Sequence, residues 1–131
     1  MGRAFRLEHH ATSDLTTVFI DHFTYERIVR AMDRHDMVHD FPYPDRPAPT
    51  EEQERREFLA AAVAEPAGIP RHKLTIDGEW LITPRELTAA LGSYFAHTIE
   101  QRNAADQAID QWKPWIGLLL AGHNYLGVRC L

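Results

Sequence analysis

LTIDGEWLITPRELTAAL, residues 74 to 91, decides the expected fold, because a turn signal and a helix-start signal follow each other within it. The pair Asp77-Gly78 separates two short runs, residues 72–76 and 79–83, that contain Leu, Ile, Thr and Trp. Asp-Gly between such runs is the strongest short-range hairpin signal, since both central residues of a type I′ turn need positive φ. We therefore expect a β-hairpin over residues 72–83.

The same stretch predicts a helix immediately after the hairpin. Thr83 suits the N-cap, and Pro84 suits the first helical position, where its missing N–H costs nothing. Glu86 completes a capping box with Thr83, so we interpret it as a cap rather than as a catalytic acid. Apolar residues then recur at helical spacing towards a predicted end near Gln101: Leu87, Leu91, Tyr94 and Phe95.

The chain has 131 residues, a net charge of −5 and one cysteine. This length predicts a single domain over residues 1–131 that buries a core, and the lone Cys130 allows no disulfide within the chain. The negative charge argues against a nucleic-acid partner, which usually needs a basic surface. The start of the chain lacks a signal-peptide core, and the longest apolar run, residues 115–122, is far shorter than the ~18 residues of a membrane span. We expect a cytoplasmic protein with no membrane partner.

The remaining strands are predicted near the two ends of the chain. Residues 4–9 alternate apolar with polar side chains, and residues 15–21 are apolar and β-branched, so we expect these two segments to form a hairpin. Residues 125–130 form a last short strand. Residues 41–49, with four prolines, are predicted to be a stiff connector inside the domain.

Three further helices are predicted from apolar periodicity and capping residues. They are a helix after Thr24 from residue 25 to about residue 36 or 38, a helix from Thr50 with Gln53 as its capping partner, and a helix over residues 104–121. Within the last of these, Pro114 either kinks one helix or separates two shorter helices at Lys113. Gly122 suits the left-handed position after it. The order of elements predicts an α+β fold, with an antiparallel sheet of about five short strands packed against about four helices.

His35 and His39 form the sharpest chemical candidate, in the sequence His-Asp-Met-Val-His. Residues four apart share one helix face, so both imidazoles can bind one metal ion, and the pattern differs from the zinc-protease motif by Asp in place of Glu. A third ligand has to come from elsewhere in the chain: His9, His10, His22 or Asp40. This interpretation predicts a small hydrolase with one divalent, zinc-like ion. The alternative is a partly buried His35 and a solvated His39 with no cofactor.

A small-ligand site is expected in a groove between the sheet and the helix that begins at Tyr25. Tyr25 and His35 are the residues we expect to supply polar contacts there. The sequence does not place the groove more closely, and ligand binding is therefore an alternative rather than the leading hypothesis.

Trp115, Trp112 and Pro114 form the candidate protein interface. Trp112 shares a helix face with Ile116, whereas Trp115 points elsewhere, and large aromatic rings are enriched at binding hot spots. The alternative is that a helix apolar nearly all round is central to the core. Because nucleophile and phosphate-binding motifs are absent from the sequence, the leading hypothesis is a non-enzymatic interaction module that binds a protein partner or forms a homodimer.

GEWLITPREL (residues 78–87) and WKPWIGLLL (residues 112–120) resemble stretches of small uncharacterised prokaryotic and phage proteins. In those proteins a Trp-x-x-Thr-Pro-x-Glu helix start and a Trp-x-x-Trp-Ile helix recur. The resemblance covers the C-terminal half of the chain. It implies an accessory protein and carries no activity.

Overall fold

The computed structural model describes residues 2–8, 17–40, 49–61 and 65–131. The strands are β1 (Gly2–Glu8), β2 (Thr17–Asp21), β3 (Val38–His39), β4 (Ile69–Pro70), β5 (Leu81–Ile82) and β6 (Gly127–Cys130). The helices are α1 (His22–Arg34), α2 (Glu52–Ala60), α3 (Arg71–Thr75), α4 (Pro84–Ala96), α5 (Ile99–Ala108) and α6 (Trp112–Ala121), and a 3-10 turn (Gly122–Asn124) follows α6.

Four strands form one antiparallel sheet in the order β2-β1-β6-β5. The register places Phe5 of β1 between Val18 of β2 and Cys130 of β6. β3 and β4 form a separate parallel pair, which the sequence analysis did not predict. The mixture of helices with an antiparallel sheet confirms the predicted fold class, and the hairpin of β1 and β2 is also confirmed.

The inward face of the sheet is covered by helices. Phe5 is fully buried, with ring centroids 4.9 Å from Trp115 of α6 and 5.4 Å from Tyr25 of α1. Because side chains alternate along a strand, the opposite face carries Ala4, Arg6 and their cross-strand neighbours. α2 lies over this second face near β5, where the rings of Phe58 and Trp80 are 5.7 Å apart.

The predicted hairpin over residues 72–83 does not form. Residues 71–75 are helix α3, and the short strand β5 pairs with β6 instead. His72, Lys73 and Leu74 are consecutive and all buried, which the two-residue alternation of a half-buried strand does not allow. Asp77-Gly78 still lies in the connection between α3 and β5, where Gly78 adopts a φ of 153°.

α4 begins as predicted and ends earlier. The Thr83 hydroxyl accepts from the Glu86 backbone N–H at 3.4 Å, and the Glu86 carboxylate accepts from the Thr83 N–H at 2.9 Å, with proline in the first helical position. The helix ends at Ala96 rather than near Gln101. The reason is a second capping box, formed by Thr98 and Gln101, which starts α5.

The starts of α1 and α2 differ from the prediction. Asp21, not Thr24, caps α1: its carboxylate accepts from the Thr24 backbone N–H at 3.0 Å and from the Thr24 hydroxyl at 2.7 Å. Both hydrogen bonds lower the pKa of Asp21, and the bond from the Thr24 backbone N–H has the larger effect. Glu51 occupies the N-cap position of α2 without a side-chain cap bond, so the predicted capping box of Thr50 and Gln53 does not form.

Two helices, α5 and α6, replace the predicted helix over residues 104–121. Residues 109–111 separate them, and Gln111 adopts a left-handed φ of 65°. Pro114 consequently falls in the first turn of α6, where a missing N–H breaks no helical bond. Gly122 is not left-handed as predicted: its φ is −56°, and a Cβ there would lie 2.5 Å from a leucine side chain.

The longest helices, α1 and α4, have 13 residues each. Across the described ranges, no helix is both long and apolar enough to cross a membrane. The connector predicted over residues 41–49 lies outside the described residues, apart from Pro49.

Candidate ligand-binding groove

A groove of about 560 Å³ lies between β1, α1 and α3 with the turn that follows it. Tyr25, Val29 and Leu74 give it an apolar floor. The other lining residues are more exposed: Gly2, Arg3, His22, Glu26, Arg30, Thr75 and Asp77. The region is the one in which the sequence analysis proposed a small-ligand site, between the sheet and the helix that contains Tyr25.

Helical spacing supplies one whole wall of the groove. Three successive turns of α1 face the groove, and their side chains share one face of the helix. They are His22, then Tyr25 and Glu26, then Val29 and Arg30. The Asp21 cap fixes where this helix starts and therefore which side chains face the groove. The first residues of β1 form the opposite wall.

Arg3 is held in a fixed orientation at the groove. Its Nη1 donates to the backbone carbonyl of Leu74 at 2.9 Å, and its guanidinium carbon lies 5.4 Å from the centre of the Tyr25 ring. The Tyr25 hydroxyl donates to the same Leu74 carbonyl at 2.6 Å. One carbonyl oxygen thus joins β1, α1 and α3, and it orients the guanidinium without neutralising its charge.

Tyr25 serves as a wall and not as a base. Burial raises the pKa of its phenol, the nearby Cys130 raises it further, and the charge of Arg3 opposes both. The phenol therefore keeps its proton at neutral pH and donates it to the Leu74 carbonyl.

The groove is lined by two arginines, Arg3 and Arg30, and by two carboxylates, Glu26 and Asp77. Glu26 lies 3.1 Å from His22, an exposed pair one helical turn apart. Within the described ranges, no carboxylate forms an ion pair with Arg3 or Arg30. A guanidinium has five N–H donors, and within the described part of the chain Arg3 donates one hydrogen bond, to Leu74. The remaining donors suit a carboxylate or phosphate group above the apolar floor.

His35, predicted both as a metal ligand and as a groove residue, lies at the other end of α1. It is 6% exposed, and its Nδ1 lies 2.7 Å from the Ala31 carbonyl. Because a carbonyl oxygen only accepts, Nδ1 carries the proton and Nε2 is left as an acceptor. The imidazole packs 4.9 Å from the ring of His97 and 5.9 Å from that of Trp112. It therefore does not line the groove.

The predicted metal site at His35 and His39 does not assemble on a helix. α1 ends at Arg34, Asp36 takes a left-handed φ of 58°, and His39 lies in strand β3. The helical spacing that would align the two imidazoles is therefore lost. His9 lies outside the described residues. In the part of the chain that the structure describes, no three or more His, Cys, Asp or Glu side chains are grouped so that they could hold a metal ion.

The three predicted interface residues differ in solvent exposure. Trp115 is 0% exposed and Trp112 is 1% exposed, whereas Pro114 is on the surface. The Trp115 indole N–H points to the sulfur of Met32 at 3.3 Å, and the Trp112 indole donates to the Tyr94 hydroxyl at 3.1 Å. The placement of Trp115 as a surface anchor is therefore wrong, because the ring fills the core beside the sheet.

The sequence analysis missed Arg3, a candidate residue of the groove, and Lys73, which forms a buried ion pair in the core. The signal for Arg3 is its alternation with Phe5 and Leu7, which puts a cation on the inward side of β1. Lys73 is fully buried and pairs with Glu86 at 2.8 Å. No local sequence pattern indicates that Lys73 is buried, and the sequence analysis placed it in a strand rather than in α3.

No protein-family model, curated protein or solved structure matches this chain. The groove is therefore interpreted from its own geometry and charge. The resemblance of residues 78–87 and 112–120 to small prokaryotic and phage proteins stays a prediction.

Proposed function

We propose that this protein binds a small organic anion with an apolar body in the groove between β1 and α1. The observation that carries the proposal is the Arg3 guanidinium, fixed by the Leu74 carbonyl and the Tyr25 ring, with no carboxylate of the described residues paired to it. The apolar floor would bury the body of the ligand, and Arg3 would bind its carboxylate or phosphate. Arg30 adds a second positive charge at the rim.

Benzoate and its neutral counterpart benzamide test this proposal, because the two molecules share one shape and differ in charge. In a titration of ¹⁵N-labelled protein, we expect saturable shifts of the amide signals of Arg3, Tyr25, Val29 and Thr75. A charge-assisted bond contributes ~1.5–3 kcal/mol, so benzoate should bind about tenfold more tightly than benzamide or better.

Two variants assign the preference to the groove. Arg3→Gln should make benzoate and benzamide bind alike, and its spectrum shows directly whether the fold is kept. Arg34→Gln removes one positive charge from α1 at a position that does not line the groove, and it should keep the preference for benzoate. Equal binding of the two probes to the wild type, or shifts confined to other parts of the molecule, would contradict the proposal.

A second candidate function is the protein-interaction module predicted from the sequence. Its binding surface would be formed by exposed aromatic residues instead of Trp115. Phe23 is 79% exposed and Phe19 is 60% exposed, and Phe19 lies on the edge strand β2. Exposed aromatic rings beside an unpaired strand edge favour association with a protein or with a second copy. Both candidates keep the cytoplasmic location predicted from the sequence.

Light scattering after size-exclusion chromatography tests this second candidate. We expect a wild-type homodimer at high protein concentration that becomes a monomer when Phe19 and Phe23 are both replaced by Ser. Ile99→Ser, which changes a 67% exposed apolar residue on α5, should leave the dimer intact. A wild type that stays monomeric at every concentration removes the homodimer.

A further inference from the structure

The outer face of the sheet carries a second cavity, of about 310 Å³, between β1, β6 and α2. It lies on the side of the sheet opposite Phe5 and does not share any lining residue with the groove described above. Its charged lining residues are Arg6, Arg55, Arg56, Arg129, Glu52 and Glu79. Four of the 14 basic residues of the chain therefore surround one small cavity.

Two of these arginines face each other across the sheet. Arg6 of β1 is the register partner of Arg129 of β6, so both side chains leave the same face with Cβ atoms about 5 Å apart. The Arg129 guanidinium also donates to the backbone carbonyl of Glu79 at 2.8 Å, which orients it beside the cavity.

α2 contributes two arginines to the cavity lining, and each of them lies close to a glutamate. Arg56 pairs with Glu52 one helical turn away, and Arg55 lies 3.5 Å from Glu79. These pairs are solvent-exposed, with side-chain exposures between 41% and 78%. Exposed ion pairs of this kind contribute little to stability, so their arginines can turn to another anion at small cost.

We infer that this cavity is a binding site for an oxyanion, with phosphate as the chemical class. Counting side chains, its lining carries four guanidinium groups and two carboxylates, an excess of positive charge within a chain of net charge −5. Guanidinium groups match the geometry of phosphate oxygens, so the arginines that line the cavity suit this ligand. Leu59, which is 4% exposed, closes one side of the cavity and limits solvent there.

Thermal unfolding at constant ionic strength tests the inference, with inorganic phosphate as the probe and chloride as the reference. A ligand that binds only the folded state raises Tm with its concentration. We expect phosphate at millimolar concentration to raise the wild-type Tm saturably, by on the order of 4 °C. Broadening of the ³¹P signal of phosphate by the folded protein gives a second, direct measurement.

Arg6→Gln should abolish most of the phosphate-dependent rise in Tm, because it removes one of the four guanidinium groups that line the cavity. Arg55→Gln, on the helix side, should also weaken the response, so the test does not depend on one variant. Arg34→Gln removes a positive charge far from the cavity and should respond like the wild type. An equal response of Arg6→Gln and the wild type, or no response of the wild type, overturns the inference.

A short single-stranded oligonucleotide distinguishes a free phosphate from the same group on a polymer. The cavity volume of about 310 Å³ suits one small oxyanion. We therefore expect the oligonucleotide to raise Tm no more than inorganic phosphate does at the same phosphate concentration. A larger effect, lost in Arg6→Gln, would replace the small-oxyanion site by a nucleic-acid surface.

Discussion

Replacing Glu86 with Ala is expected to lower the free energy of unfolding by about 4 kcal/mol. Glu86 and Lys73 are both 0% exposed, and their charged groups are 2.8 Å apart. Lys73 also donates to the Leu81 carbonyl at 2.7 Å, whereas the Glu86 carboxylate accepts from Thr83 as its capping partner. The variant removes the cap and leaves a buried ammonium group without its counter-charge, and the second loss is the larger one.

Chemical denaturation measures this loss, with Glu100→Ala as the matched control, since Glu100 is an exposed residue in the first turn of α5. Burial lowers the pKa of Lys73 and Glu86 opposes this effect, so the pKa falls further without Glu86. Between that lowered pKa and the ordinary value of 10.5, the unfolded chain binds more protons, and stability rises with pH. The cost of Glu86→Ala should therefore shrink towards about pH 10. A cost no larger than that of Glu100→Ala would falsify the importance of the pair.

Trp115→Ala is expected to cost about 4 kcal/mol of stability and to leave the oligomeric state unchanged. The indole is fully buried, with ring centroids 4.9 Å from Phe5 and 6.2 Å from Tyr25. Its removal leaves a cavity at the point where α6, α1 and the sheet meet, and surrounding side chains fill such a space only in part. The loss of the N–H contact to the Met32 sulfur, at 3.3 Å, adds to this cost.

Leu120→Ala is the control for this variant, because Leu120 belongs to the same helix and is 44% exposed. It should change the free energy of unfolding by less than about 1 kcal/mol. Trp115→Phe keeps an aromatic ring and should fall between the two. Denaturation and light scattering on the same samples separate the two roles: an altered assembly with unchanged stability would restore Trp115 as an interface residue.

The sequence predicted those features that depend on neighbouring residues. The capping box of Thr83 and Glu86 needs only four consecutive residues, and it formed as expected. The same signal at Thr98 was present and would have placed the break between α4 and α5. In contrast, the segment 72–76 became a helix because Lys73 and Leu74 are drawn into the core by partners that are distant along the chain.

The candidate groove shows the same division. Tyr25 was predicted as a groove residue from its place at the start of a helix beside the sheet, and it lines the groove. Arg3 was missed, although its inward position follows from the alternation of β1, because its role depends on the Leu74 carbonyl. The facing pair of Arg6 and Arg129 could not be predicted, since it needs the register between the first and last strands.

The position of β6 in the sheet also limits when the chain can fold during synthesis. β6 lies between β1 and β5, so residues near the start of the described chain gain their central partner only from residues 127–130. On the ribosome, the β1 edge that pairs with β6 stays open until residues 127–130 have emerged. Contacts between such distant segments slow folding, and an open strand edge favours aggregation. Loss of β6 should therefore leave an aggregation-prone chain rather than a folded one.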